Sequence, residues 1–187
     1  MKFNNESRIT QIALGATIAA LYIVLFVLLM PISVGPIQFR LSEALTLLSA
    51  LTPAAIPGLF IACVISNIIA NMGWMDIVFG SLATLLAAVV TRSLAKKFSL
   101  DEMSKPRQSS AELLKNYKLY VLALPNIIFN ALIVGSYLTF LIPSSGALFK
   151  VIILNIISVA LSEAAVLYLV ALPLYLVAYR IFSHQPR

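Results

Sequence analysis

Six apolar stretches, separated by short polar or proline-containing segments, make up most of the chain. They cover residues 10–30, 41–51, 56–71, 76–94, 119–142 and 148–182. An apolar stretch of about 20 residues is long enough to cross a bilayer as an α-helix. The pattern therefore predicts an all-α membrane protein built as a six-helix transmembrane bundle. The second stretch is too short to cross upright, so we expect it to be buried among its neighbours or lengthened by its flanks.

Composition agrees with a protein surrounded by the lipid bilayer. The chain is 61% hydrophobic and 11% charged, whereas soluble domains carry about 25% charged residues. We expect one transmembrane domain over residues 1–187, with a charged cytoplasmic loop at about 95–118. The net charge of +6 does not indicate nucleic-acid binding, because the basic residues cluster at the ends of the stretches. With one cysteine, Cys63, and one histidine, His184, neither a common metal site nor a cofactor is expected.

The lysines and arginines predict the orientation. They lie before the first stretch, between the fourth and fifth, and at the end of the chain. With six spans these three regions share one side of the membrane, which the positive-inside rule makes cytoplasmic. Both termini are then inside, whereas five spans would place the C-terminal arginines outside.

Polar residues within the apolar stretches indicate a solute-binding pocket. A charge at bilayer depth is costly unless it is paired or lines a cavity. In the predicted orientation most of these residues lie towards the outer face, and Asn130 and Glu163 lie nearer the middle. The candidate substrate-binding residues are Arg40, Glu43, Asn67, Asn71, Asp76, Asn130, Tyr137, Asn155 and Glu163.

Structural roles are open alternatives for several of these residues. Arg40 and Glu43 are three residues apart, so on a helix they share a face and can form a structural ion pair. Asp76 is suited to cap the N-terminus of the fourth helix. The asparagines can hydrogen-bond one helix to another. Glu163 lies in mid-span with no basic residue nearby in sequence, which favours a functional role.

Small residues recur at four-residue spacing in the first stretch, where Ala16 and Ala20 form such a pair. Faces of this kind allow close helix packing in lipid, either with a partner or within the bundle. The chain contains no GxxxxGK[ST] motif. If solute is moved uphill with ATP, the ATPase must be another chain.

Three segments carry a resemblance to a known family: QFRLSEALTLL at 38–48, DIVFGSLATL at 76–85 and LSEAA at 161–165. The chain resembles the QueT family, which are substrate-binding S components of energy-coupling factor (ECF) importers in the bacterial plasma membrane. The resemblance implies binding of queuosine precursors, which are 7-deazaguanines, without enzymatic turnover. It also implies two ATPase subunits and a membrane subunit that docks at Ala16 and Ala20, with Ala13 and Thr17 as a shifted alternative.

The chemistry of a deazaguanine suits these residues. Adjacent N–H groups on its pyrimidine edge match a carboxylate, and its carbonyl needs a donor such as Arg40. Glu43, Asp76 and Glu163 are the carboxylate candidates, and Phe39, Trp74 and Tyr137 are suited to cover the ring. The rival readings are an S component for another vitamin, a small membrane enzyme acting on a lipid, and a solute channel.

Overall fold

The computed structural model describes residues 5–33, 39–100, 109–141 and 147–183, and all secondary structure in these ranges is helical. The expectation of an all-α protein is therefore confirmed for the described residues. Gln38, much of the predicted cytoplasmic loop (101–108), the turn at 143–146 and His184 lie outside them.

Within the described ranges, four helices are long and apolar enough to cross a membrane. They are Arg8–Leu28, Asp76–Phe98, Tyr117–Leu141 and Leu148–Ile181. Two shorter apolar helices, Leu41–Ala50 and Ala55–Ile69, lie between the first and second of these. The six helical segments coincide in order with the six apolar stretches of the sequence.

The first segment is α1 (Asn5–Leu28), followed by the short α2 (Met30–Ser33). Ile18, Tyr22 and Phe26 recur every four residues on α1 and are almost completely buried, as expected for one core-facing stripe. Much of the rest of α1 is exposed. α1 packs on α3 (Ala55–Ile69), where a Cβ on Gly15 would lie 2.9 Å from the carbonyl oxygen of Ala54.

The second apolar stretch forms a 3₁₀ helix, Leu41–Ala50. Its rise of about 2 Å per residue is greater than that of an α-helix, so ten residues reach further. Residues 42–50 are all buried, which agrees with the expectation for a stretch too short to span alone. At its end Arg92 Nη1 donates to the carbonyl oxygen of Ala50 at 2.6 Å. Arg92 is thus a buried cap rather than an exposed flanking charge.

The third to sixth segments include three π-helical turns in the described residues. Asp76–Gly80 precedes α4 (Ser81–Phe98), and the predicted charged loop contains α5 (Ser110–Lys115). The fifth segment consists of α6 (Tyr117–Val121), α7 (Leu124–Phe129), the π turn Asn130–Val134 and α8 (Gly135–Leu141). The sixth consists of α9 (Leu148–Val166), the π turn Leu167–Ala171 and α10 (Leu172–Ser183).

α4 is longer than the fourth apolar stretch predicted. It continues four residues beyond the predicted end at residue 94, so Lys96 and Lys97 lie on its last turn. In the sixth segment the π turn Leu167–Ala171 ends two residues before Pro173. Proline has no N–H to donate to the preceding turn, so altered helical hydrogen bonding is expected there.

Candidate functional site

A buried ion pair joins the segment before the 3₁₀ helix to the start of the fourth segment. Arg40 Nη2 lies 2.9 Å from Asp76 Oδ1, and the two side chains are 3% and 0% exposed. The Tyr137 hydroxyl donates to the same carboxylate oxygen at 2.6 Å. Asn67 Nδ2 donates to the Asp76 carbonyl at 2.8 Å. Four residues from distant parts of the chain therefore meet at one point, which we call the Asp76 cluster.

The alternative in which Arg40 pairs with Glu43 is not the arrangement in the structure, because the guanidinium of Arg40 binds Asp76 instead. That alternative requires both residues to belong to one helix. Arg40 lies just before the 3₁₀ helix with φ −89° and ψ 85°, which is not a helical conformation. The Arg40 side chain therefore does not have to point in the same direction as that of Glu43.

The alternative role of Asp76 as an N-cap is also not found in the structure. Asp76 is the first residue of its π turn, and Met75 is the residue that precedes the turn. The carboxylate accepts hydrogen bonds from Arg40 and Tyr137 rather than from backbone N–H groups of its own helix. Asp76 thus faces the interior of the bundle.

Glu43 is held by two hydroxyl groups from two other helices. The Tyr22 hydroxyl of α1 donates to Glu43 Oε1 at 2.6 Å, and Thr84 Oγ1 of α4 donates to the same oxygen at 3.1 Å. Cys63 Sγ lies between this group and the Asp76 cluster, 3.5 Å from Thr84 Oγ1 and 3.6 Å from Asn67 Nδ2. The two groups of polar side chains are therefore contiguous.

Glu163 belongs to a chain of amide side chains between the fifth and sixth segments. Asn126 Nδ2 donates to Glu163 Oε2 at 3.0 Å, and Asn130 Nδ2 donates to Asn126 Oδ1 at 3.1 Å. All three side chains are buried. Glu163 is near enough to interact electrostatically with Glu43 and Arg40.

Several buried polar atoms in this region have no hydrogen-bond partner among the described residues. They include Arg40 Nε, Glu43 Oε2, Asn67 Oδ1 and Asp76 Oδ2, and the hydroxyl groups of Ser42, Ser66 and Ser81 are also unpaired. Buried polar groups are almost always paired, and an unpaired one is costly. Unpaired atoms on four neighbouring side chains are the arrangement expected where a polar ligand completes the hydrogen bonding.

Acidic side chains outnumber basic ones among the buried residues of this region. The buried acidic residues that the structure describes are Glu43, Asp76 and Glu163, and the buried arginines are Arg40 and Arg92. Arg92 binds a backbone carbonyl at the far end of the 3₁₀ helix. Three acidic side chains therefore accompany one arginine, an arrangement better suited to hydrogen-bond donors than to anions.

Two of the predicted site residues lie apart from these clusters. Asn71 is exposed and has a φ of 50° just after α3, a left-handed conformation that asparagine tolerates. Asn155 Nδ2 donates to Thr139 Oγ1 at 3.0 Å and so joins α9 to α8. Trp74 is 63% exposed. Its ring contacts Phe79, which in turn contacts Tyr137.

The small residues of α1 line an apolar groove that is separate from the polar clusters. Ala16 and Ala20 are both exposed, and with Pro57 and Ile61 of α3 they border a cavity of about 790 Å³. Gly15 also lines the groove, but it is buried against α3. The small residues of α1 thus include Gly15, which packs inside the bundle, and Ala16 and Ala20, which are exposed.

Comparison with known proteins now decides the family. A family model described as the QueT transporter matches residues 12–180. The chain belongs to the QueT transporter family. This is a family of transporters and not of enzymes. Over 98 residues the chain is 36% identical to the queuosine precursor transporter QueT of Lactococcus lactis subsp. cremoris (strain MG1363). That match covers 51% of this chain and 57% of the relative's length. No solved structure matches the chain.

Four residues of this candidate site were not predicted from the sequence. Thr84 and Asn126 are polar residues within apolar stretches and carried the same signal as the residues that were chosen. Tyr22 looked like an ordinary member of an apolar helix. Gly80 has no side chain, yet a Cβ there would lie 3.1 Å from the Tyr137 hydroxyl and 3.2 Å from Asp76 Oδ1.

Proposed function

We propose that the chain is the substrate-binding S component of an ECF-type importer for queuosine precursors of the 7-deazaguanine class. The observation that carries the proposal is the contiguous set of buried polar side chains with unpaired atoms around Arg40, Glu43 and Asp76. Membership of a transporter family supports it, as does the printed name of the relative from Lactococcus lactis.

The donor and acceptor pattern of a deazaguanine matches the unpaired atoms. Its adjacent ring and amino N–H groups are suited to a carboxylate such as Glu43, whose Oε2 has no partner among the described residues. Its carbonyl is suited to the Nε–H of Arg40. A site of this kind rejects analogues that lack the matching groups, because its own buried atoms would stay unpaired.

The excess of carboxylates extends the match to the substituent at position 7. An aminomethyl group is a cation at neutral pH, and a cation is stabilised beside carboxylates that lack a basic partner. Glu163 has an amide partner, Asn126, and no hydrogen bond from a cation in the described residues. We therefore propose that the aminomethyl form binds more tightly than the cyano form, with Glu163 nearest its charge.

The proposed topology is six spans with both termini in the cytoplasm of a bacterial cell. The clustering of Lys96 and Lys97 at the end of α4, together with Arg180 near the end of α10, supports this orientation. A cysteine at Lys115 should react with a membrane-impermeant thiol reagent only after permeabilisation, and one at Ala147 in intact cells. The native Cys63 is 1% exposed and should stay unlabelled. The reverse labelling pattern would overturn the topology.

The proposed partners are an ECF membrane subunit and two ATPase subunits. The membrane subunit would dock a helix in the groove bordered by Ala16 and Ala20, where methyl-sized side chains allow close approach. The groove is formed by one edge of α1 and by α3, so a helix that docks there would not contact the polar clusters.

A binding panel with purified protein tests the ligand. Titration calorimetry and thermal shift should detect 7-aminomethyl-7-deazaguanine, 7-cyano-7-deazaguanine or queuine at about one per chain. Riboflavin, thiamine, biotin, folate and pantothenate should give no signal. Tight binding of one of these vitamins without binding of a deazaguanine would overturn the ligand class and leave the S-component role standing. Turnover of a lipid substrate would overturn both.

A further inference from the structure

Tyr22 belongs to the helix that borders the groove and also to the polar site. Its ring is part of the buried stripe of α1, and its hydroxyl donates to Glu43 Oε1 at 2.6 Å. Both groups are buried, at 1% and 0% exposure. The bond reaches a carboxylate whose other oxygen has no partner among the described residues.

The two hydroxyl groups that donate to Glu43 fix the direction of its unpaired oxygen, Oε2. Tyr22 and Thr84 both bind Oε1, so Oε1 is the saturated side of the carboxylate. Oε2 is left to accept from a ligand. Loss of either hydroxyl should therefore weaken ligand binding without removing a group that itself contacts the ligand.

The two donors differ in the helix that carries them. Thr84 is on α4, which lies next to the Asp76 cluster. Tyr22 is on α1, two residues beyond Ala20, or about 3 Å along the axis. In the described residues α1 is also the least buried of the four long apolar helices. A partner that contacts α1 at Ala16 and Ala20 would therefore contact it close to Tyr22.

We propose that Tyr22 is a positioning residue that links partner contact on α1 to the affinity of the site, through its hydrogen bond to Glu43. The inference rests on the proposed function. A hydroxyl–carboxylate bond of 2.6 Å is lost if its atoms separate by about 1 Å. A small displacement of α1 against the 3₁₀ helix is therefore enough to break the bond from Tyr22 and leave Thr84 as the donor to Oε1. Coupling between two sites is reciprocal, so the ligand would also change the affinity for the partner.

The test compares Tyr22→Phe with Thr84→Val, which remove the two donors to the same oxygen from different helices. The affinity for 7-aminomethyl-7-deazaguanine is measured for each protein alone and in complex with the ECF membrane and ATPase subunits. The ratio of the two dissociation constants reports the coupling. Both variants alone should bind about tenfold more weakly, as expected for loss of a hydrogen bond to a charged group. The ratio should fall towards one in Tyr22→Phe and keep its wild-type value in Thr84→Val.

The outcomes separate this inference from the proposed function. A wild-type protein that binds no deazaguanine, or forms no complex, overturns the function. If the wild-type protein binds the ligand and forms the complex, but the ratio of its two dissociation constants is one, the inference alone is overturned. Equal ratios in the two variants, unchanged affinity of Tyr22→Phe alone, or failure of Tyr22→Phe to fold would also overturn it. In the last case the hydroxyl would be a requirement of the fold.

Discussion

Two regions of the molecule depend on glycine in different ways. Where α1 crosses α3, Gly15 lies so close to Ala54 that a Cβ would press on a backbone carbonyl. At the Asp76 cluster, a Cβ on Gly80 would press on the ends of three polar side chains, those of Tyr137, Asp76 and Asn67. The first contact brings two helix backbones together, and the second leaves room for polar atoms to converge.

The α1–α3 crossing stabilises the bundle, whereas the Asp76 cluster is part of the candidate binding site. Backbone cannot move aside without moving a helix, so an added atom at the α1–α3 crossing should lower the stability of the bundle. The ends of side chains can move by a few tenths of an ångström, so the region around Gly80 should fold with an added methyl group and bind less well. Stability and binding should therefore be separable by position along the bundle.

The largest effect is expected at Ala16 and Ala20, the exposed small residues of α1. Tryptophan at Ala16 or Ala20 should abolish uptake and co-purification with the proposed ECF membrane subunit, because its ring would fill the groove. Ligand binding by the isolated protein should persist, since neither residue contacts the polar clusters. Leu21→Trp is the matched control, because Leu21 is an exposed α1 residue that does not border the groove.

Two results would contradict the assignment of Ala16 and Ala20 to a docking face. Loss of ligand binding and of the folded state in the tryptophan variants would assign Ala16 and Ala20 to internal packing. Loss of co-purification in Leu21→Trp as well would move the docking face elsewhere on α1.

The next largest effect is expected from the carboxylates. Glu43→Gln and Glu163→Gln should each weaken binding of the aminomethyl ligand by at least ~1.5 kcal/mol, the low end for a hydrogen bond to a charged group. Both changes keep the shape of the side chain. Asn155→Ala, which alters a polar residue apart from the clusters, should leave the affinity unchanged in the same calorimetric measurement. Wild-type affinity in both glutamine variants would return these carboxylates to a structural role.

An effect on stability rather than on binding is expected from Gly58→Ala at the α1–α3 crossing. Its Cβ would collide with the backbone of Gly15, and overpacking of this kind costs about 1–3 kcal/mol. The melting temperature in detergent should fall, while the folded fraction keeps its affinity for the ligand. An unchanged melting temperature would show that the two helices can separate freely.

The smallest effect is expected from Gly80→Ala. The methyl group would lie 3.1–3.3 Å from three polar atoms, and their displacement should weaken binding by about 1 kcal/mol, the worth of one ordinary hydrogen bond. The melting temperature should stay close to that of the wild type. A large loss of stability here would remove the distinction between the two glycine sites.

The sequence was sufficient to locate the helices and many of the buried polar residues, because apolar length and intramembrane charge are properties of local sequence. It was not sufficient to identify the partners. Arg40 meets a carboxylate 36 residues away, and the choice of Asp76 over Glu43 depends on the backbone just before the 3₁₀ helix. Tyr22 gave no signal, since a tyrosine in an apolar helix is common. Asn155 gave a signal but binds Thr139 instead.

The π turn Asn130–Val134 has a consequence for how this chain can change over evolution. A π turn holds one residue more than an α turn, and each residue turns an α-helix by about 100°. Deleting one residue there would convert the π turn into an α turn, in which four residues turn the helix about as far as the five of the π turn do. The residues that follow, including Tyr137, would keep nearly the same direction. A deletion in an α-helical turn of α7 would instead rotate Tyr137 by about 100° away from Asp76. The π turn is thus a place where the length of the chain can change by one residue without altering the Asp76 cluster.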